Sequence, residues 1–314
     1  MPNILANSSE EQQEIQNLLN KKLPNYRKAY SDRTCWLMAC IAELAYIKFE
    51  LGKEEKKKLE ENAGYLNLRL ADTFDKCGTQ AILLENDDYA FLGFRGTEAT
   101  SIKDIKSDTR ATTEDCEAGG KIHSGFNEAF QQTALDIQTS LNQDEFRNKP
   151  LFITGHSLGG ALATIAAKRL MHHGGIAACY TFGSPRVGDD DWAANIKTPI
   201  YRLVNAADPV TMLPPGDETI VIFAWPLGFI PYLGSMIKKK LLSNFGGYLH
   251  VGNMRYLTNC AGKDYSKVEL LYSVSFMYRV QGFIKKKLSF TKIPSDHFID
   301  VYRKKLQVLA CNRN

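Results

Sequence analysis

A serine becomes a nucleophile only when a base can take its proton and the backbone holds its oxygen clear. Ser157 is the serine in this 314-residue chain whose surroundings suit that role. It stands in Gly155-His156-Ser157-Leu158-Gly159-Gly160, after the apolar Leu151-Phe152-Ile153 and before a small-residue run, Ala161 to Ala167. G-x-S-x-G between a strand and a helix specifies a tight turn with strained backbone angles at the serine. Glycines at 155 and 159 let strand and helix close on each other. The helix then aims its first N–H groups, beginning with Leu158, at any anion formed near the hydroxyl. The pattern alone would arise in roughly one chain in ten of this length, so its partners decide its meaning.

The serine needs a general base, and the base needs an orienting carboxylate. Where such an elbow sits in an α/β-hydrolase, these follow in the order serine, acid, histidine. His250 and His297 lie well after the serine and outside its own helix. His297 is preferred, because it follows Pro294-Ser295-Asp296 and precedes the amphipathic Phe298-Ile299-Asp300-Val301-Tyr302 at a loop-to-helix junction. His250, in Gly246-Gly247-Tyr248-Leu249-His250, stays as the alternative. For the acid, Asp208 ends a strand in a loop braced by Pro209. Asp189, Asp190 and Asp191 compete, but a run of three carboxylates reads as a solvated turn. A second oxyanion donor, besides the amide of Leu158, must come from a loop after an earlier strand. Thr97, closing Phe94-Arg95-Gly96-Thr97, offers both an N–H and a hydroxyl.

The elements that would position these groups follow from pattern. Ser31-Asp32 caps a helix carrying Trp36, Leu37, Cys40, Ile41, Leu44 and Ile47 at helical spacing. Thr79–Leu84 and Tyr89–Phe94 bracket Asn86-Asp87-Asp88 as a hairpin. Residues 10–30 predict a short helix before Pro24, Lys53–Glu61 a solvated charge run, and Glu98–Gly120 a polar loop. Phe126–Leu141 has helical periodicity, and Pro150 opens the strand leading to Ser157. Ile176–Phe182 and Ile200–Val204 are further buried strands. Strands alternating with helices make a mostly parallel sheet, with active residues beyond the strands' C-terminal ends.

Composition is that of an ordinary globular protein. Seven dispersed cysteines without a C-x-x-C pair point to reduced thiols, and no apolar leader precedes residue 20, so a cytoplasmic protein is expected. No metal site is legible. The His172-His173 pair is read as belonging to a helix C-terminus. His123 is read as structural. From Lys238 to Lys305 there are 14 Lys or Arg against 4 Asp or Glu, which suggests an anionic surface as partner. No nucleic-acid module accompanies that charge, so nucleic acid is not expected.

Six motifs stand in one order: Phe94-Arg95-Gly96-Thr97, His123-Ser124-Gly125-Phe126, Gly155-His156-Ser157-Leu158-Gly159-Gly160, Thr181 to Gly188, Asn205 to Val210 with Leu213-Pro214-Pro215, and Asp296-His297. Together they resemble the class 3 lipases, the fungal-type triacylglycerol lipase family, closely over Ser31 to Val210 and more thinly around His297. The resemblance implies an α/β-hydrolase fold, a mostly parallel central sheet flanked by helices. It also implies a triad of Ser157, Asp208 and His297, with oxyanion groups from Thr97 and Leu158 and no cofactor. His250 would then be a structural histidine. The expected substrate is a lipid ester, most naturally an acylglycerol, with anionic phospholipids (a phospholipase A1 activity) as the alternative. An inactive membrane-associated binding protein with a hydrolase shell is the reading from another class.

Two departures stand out. The family's apolar lid helix corresponds here to Thr100–Thr113, where only Ile102 and Ile105 are large and apolar. Between acid and base the chain is enlarged: Thr219 to Ile237 is 19 residues without a charge, followed by Lys238-Lys239-Lys240, and the theme returns at Lys285-Lys286-Lys287. Length alone would allow a membrane span, but Pro226, Pro231, Gly228 and Gly234 oppose a straight one. The expected organisation is a single domain over 1–314, with a helical extension at 1–30 and a cap-like or membrane-facing insertion at 217–250. Peripheral association with anionic membranes through 219–240 and Lys285–Lys287 is expected of the second form.

Overall fold

The computed structural model describes residues 3–6, 8–21, 23, 28–96, 113–117, 119–206, 208–216, 220, 236, 239, 242, 247–260, 264–285 and 294–312. Eight strands form one sheet: β1 (Arg69–Lys76), β2 (Thr79–Glu85), β3 (Ala90–Phe94), β6 (Leu151–His156), β7 (Ile176–Phe182), β8 (Ile200–Asn205), β9 (Asn253–Leu257) and β10 (Leu270–Leu271), in that spatial order. The pairs from β3 through β9 are parallel, and the outer pairs β1–β2, β2–β3 and β9–β10 are antiparallel. The central strands read as nearly continuous apolar runs because helices cover both faces of a parallel sheet. All six residues of β6 are buried.

On one face lie α1 (Ser9–Leu19), α2 (Asp32–Leu44), α3 (Lys53–Gly64) and the C-terminal α9 (Ile299–Asn312). Trp36, Met38, Cys40 and Ile41 of α2 pack with Tyr302, Leu306 and Leu309 of α9, and Arg303 pairs with Glu43 between them. The other face carries α4 (Ser124–Leu141) and α6 (Leu158–Arg169), with Phe130, Ile137, Leu162 and Ile165 in its core. This is the α/β-hydrolase architecture, mostly parallel and helix-flanked.

Several local expectations are corrected. The 10–30 helix ends at Leu19, capped by Ser8. The charge run at 53–61 is largely exposed, as expected, but it is also helical, with Leu59, Asn62 and Ala63 burying one stripe of α3. The polar loop contains β4 (Thr113–Asp115), paired antiparallel with β5 (Lys121–His123). Strand β1 has no clean apolar alternation, with Phe74 its one buried residue, so periodicity misses it. Helix α6 ends at Arg169, which leaves His172 beyond its last turn, donating from Nε2 to the Lys149 carbonyl at 2.6 Å. Of the family's lid position, Thr100–Thr113, all but Thr113 lies outside the described residues, as does most of 219–240. Among the described residues, no helix is long and apolar enough to cross a membrane.

Candidate active site

Ser157 lies between β6 and α6 with φ 56° and ψ −127°, a conformation a side-chain-bearing residue adopts at a cost of about 1–3 kcal/mol. The turn is held closed from below: Ser157 N–H donates to Phe182 O at 2.9 Å, and Gly160 N–H to Ser157 O at 2.9 Å. A Cβ on Gly155 would strike the Gly159 carbonyl, and one on Gly159 would strike the carbonyl of Phe94. Both glycines therefore permit the close approach of strand and helix that the elbow needs. Leu158 is the first residue of α6, where a helix leaves its amides without intrahelical partners.

Asp208 follows β8 and is fully buried. Its own N–H donates to Asn205 O at 2.8 Å, and its Oδ1 accepts from Val210 N–H at 2.9 Å, which locks the side chain over the turn at 210–212. His297 Nδ1 lies 3.0 Å from both carboxylate oxygens, and the Tyr302 hydroxyl donates to Oδ2 at 2.6 Å. Burial and the adjacent Asp208 charge hold the Tyr302 phenol well above its usual pKa, so it remains a donor. Gly183, just after β7, has φ +60°; a Cβ there would fall 2.7 Å from Asp208 Oδ2 and 3.0 Å from His297 Nδ1. The acid–histidine pair thus fills the space that glycine leaves.

His297 belongs to a short 3₁₀ turn (Pro294–His297) and is buried. The loop is anchored to β8: Asn205 Nδ2 donates to Asp296 O at 2.8 Å, and the buried Lys305 ammonium donates to Asn205 Oδ1 at 2.7 Å. With Nδ1 facing the carboxylate, the other ring nitrogen is left over. His297 Nε2 and Ser157 Oγ are both buried and both lack a hydrogen-bond partner. Orphaned buried polar atoms are costly in a folded protein and concentrate where chemistry is done.

The other candidates are placed elsewhere. His250 Nε2 donates to the Thr211 carbonyl at 2.7 Å, and its pKa falls well below the usual value through burial and then the charges of Arg202 and Arg186. Arg202 itself is pushed down to about 9 by burial and by Arg279 and Arg186. Asp189 caps the short helix α7 (Asp190–Ala193), its Oδ1 accepting from Trp192 N–H at 2.8 Å and Lys121 N–H at 2.9 Å. His123 is buried and stacked on Phe126 at 4.0 Å, and burial lowers its pKa. Thr97 lies outside the described residues. Its neighbour Gly96 is packed close behind Ser157, 3.1 Å from Ser157 Cβ at its own Cβ position. Among the described residues, no three His, Cys, Asp or Glu side chains gather in a metal-holding group. Sequence reasoning missed Tyr302, Asn205 and Lys305. Only the position of Tyr302, on the first turn of the helix after His297, hinted at a contact.

The family model Lipase (class 3) matches residues 91–218, the stretch from β3 through the elbow to the acid turn. The secreted mono- and diacylglycerol lipase 1 of Fusarium solani is 42% identical over 107 residues, covering 32% of this chain and 32% of that protein. A Caenorhabditis elegans lipase is 31% identical over 179 residues, 54% of this chain and 49% of that protein. The chain thus spans between about a third and a half of these curated relatives. Among solved structures, lipase II from Rhizopus niveus superposes with a TM-score of 0.59 at 22% identity, over 87% of this chain and 96% of that one, a likeness of fold. By these matches residues 91–218 are similar to the class 3 lipase family.

Proposed function

We propose that the protein is a serine carboxylic ester hydrolase that cleaves acyl esters of lipids, most naturally acylglycerols. The observation that carries the reading is the pair of orphaned atoms, Ser157 Oγ and His297 Nε2, beside a His297–Asp208 contact of 3.0 Å. In this reading Ser157 attacks the acyl carbonyl while His297 Nε2 takes its proton. Asp208 keeps the hydrogen on Nδ1 and stabilises the imidazolium. The amide of Leu158, with Thr97 as the second donor, holds the oxyanion, each such donor lowering the barrier by about 3 kcal/mol. His297 then gives its proton to the leaving alcohol. Water repeats the sequence on the acyl-enzyme, and no cofactor is needed. The mono- and diacylglycerol lipase relative supports acylglycerol as substrate class.

A second substrate reading, hydrolysis of anionic phospholipids, is favoured by the basic stretch from Lys238 to Lys305. The same charge supports peripheral contact with anionic membranes, with 217–250 as cap or membrane-facing insertion on a single hydrolase domain. The seven free cysteines, three of them (Cys35, Cys40 and Cys179) wholly buried, support a reducing compartment. A fluorophosphonate probe should label the wild type, with labelling lost in Ser157→Ala and in His297→Ala. An unlabelled wild type, or labelling that survives Ser157→Ala, overturns the mechanism and favours the binding-protein reading. Comparing phosphatidylglycerol with triacylglycerol hydrolysis separates the substrates. Salt-sensitive sedimentation with anionic but not neutral vesicles supports the membrane contact, and its absence removes it.

A further inference from the structure

The elbow pattern asks nothing of the residue before the serine, yet His156 there is bonded at both ring nitrogens. It is buried, with Nδ1 2.7 Å from the Tyr46 hydroxyl and Nε2 2.5 Å from the main-chain carbonyl of His297. A carbonyl can only accept, so Nε2 carries the hydrogen, and the bare Nδ1 accepts from Tyr46. Burial, and then the neighbouring His297, hold the His156 pKa well below its usual value, which keeps the ring neutral and this tautomer in place. The two imidazoles lie 4.5 Å apart between centroids.

Tyr46 is itself held. It follows α2 in a segment gripped by Arg95, the last described side chain before the oxyanion turn. Arg95 Nε donates to Ala45 O at 2.6 Å, Nη2 donates to Ile47 O at 2.6 Å, and the guanidinium pairs with Glu50 at 2.6 and 2.9 Å. A Cβ on Gly96 would strike both the Tyr46 hydroxyl and the His156 carbonyl, so no slack separates these parts. A continuous chain of contacts therefore runs from Arg95 and Gly96, through Tyr46 and His156, to the backbone of His297.

We infer that His156, fixed by Tyr46, is a positioning residue that sets the distance between the His297 imidazole and Ser157. The inference rests on the ester-hydrolase reading and deepens it. A histidine that only filled space would be replaceable by any side chain of similar volume. A positioning histidine needs one donor and one acceptor at its two ends. Glutamine supplies both, whereas leucine supplies neither.

The test is steady-state hydrolysis of a chromogenic acyl ester by wild type, His156→Leu, His156→Gln and Tyr46→Phe, with thermal unfolding of each. His156→Leu should lose about 30- to 100-fold in kcat with KM within about twofold, the size of effect expected when a base is displaced by about an ångström. His156→Gln should recover to within about fivefold of wild type, and Tyr46→Phe should lose about fivefold in kcat. Equal losses in the leucine and glutamine variants, or wild-type kcat in His156→Leu, overturn the inference while leaving the ester-hydrolase reading intact. If His156→Leu does not fold, Tyr46→Phe decides: wild-type kcat in that variant overturns the inference. A wild type that neither hydrolyses esters nor reacts with a fluorophosphonate overturns both together.

Discussion

Two histidines follow Asp208 in the chain, and one short turn meets both of them. Asp208 offers its carboxylate to His297, while Thr211, in the 3₁₀ turn just after it, offers its carbonyl to His250. The His297 ring faces both oxygens of a carboxylate and the His250 ring a single neutral carbonyl, and that difference matters. A carboxylate can stabilise a ring that gains a proton; around His250, burial and then the charges of Arg202, Arg186 and Arg279 oppose it, more than the Thr211 carbonyl favours it. His297 keeps a buried, unbonded Nε2, whereas His250 spends its Nε2 on the carbonyl. A base is thus defined by what faces the ring on one side and what is left open on the other, more than by its place in the chain.

Exchanging the two roles should fail in an unequal way. His297→Ala should lower kcat by about 10⁵-fold on an acyl ester with little change in thermal stability. His250→Ala should keep kcat within a few-fold while losing about 1–3 kcal/mol in urea unfolding, because the Thr211 carbonyl loses its donor. Comparable kcat losses in the two variants would remove the distinction. Asp208→Asn tests the carboxylate itself: with the geometry kept and the charge gone, kcat should fall by about 10⁴-fold. A loss under tenfold would mean that the carboxylate does not orient the proposed base.

How much of this was legible beforehand depends on the residue. Ser157 and Asp208 announce themselves locally, one through flanking glycines and the other through a strand end and Pro209. The sheet's central strands are legible because burial on both faces leaves uninterrupted apolar runs. The choice between His250 and His297 is not local. It turns on Gly183 leaving room beside His297, and on three arginines converging on His250 from β8, the Arg186 turn and α8 (Phe276–Lys285). Spacing leaned toward His297, and family order strengthened it, but neither contains that charge contrast. Tyr302, Asn205 and Lys305 were invisible for the same reason: polar side chains on strand and helix positions reveal their partners only when distant segments meet.

Tyr302 gives the next, smaller test of the contrast. Its hydroxyl donates to Asp208 Oδ2 at 2.6 Å and also accepts from Asn205 N–H at 3.0 Å. Tyr302→Phe removes one of the carboxylate's fixings while leaving its charge. Turnover should fall by about tenfold at unchanged KM, the size expected for losing a hydrogen bond to a charged group. Unchanged turnover would show that Val210 N–H and His297 alone hold the acid.

The smallest effect separates the two environments by pH. His250 is held neutral, its folded pKa lying below the unfolded value near 6.5. Above about pH 7 both folded and unfolded forms carry a neutral ring, so the group contributes no pH dependence. As pH falls through 6.5 the unfolded chain binds the proton first, and stability declines by up to about 1.4 kcal/mol per pH unit until the folded value is reached. His156, neutral and buried for a related reason, adds a slope of the same sign. Urea midpoints between pH 7 and 5 should therefore fall in the wild type and fall less steeply in His250→Gln, which keeps a donor for Thr211 but cannot titrate. Identical slopes in the two proteins would mean that His250 takes up its proton in the folded state, and that burial and the arginines around it do not keep it neutral.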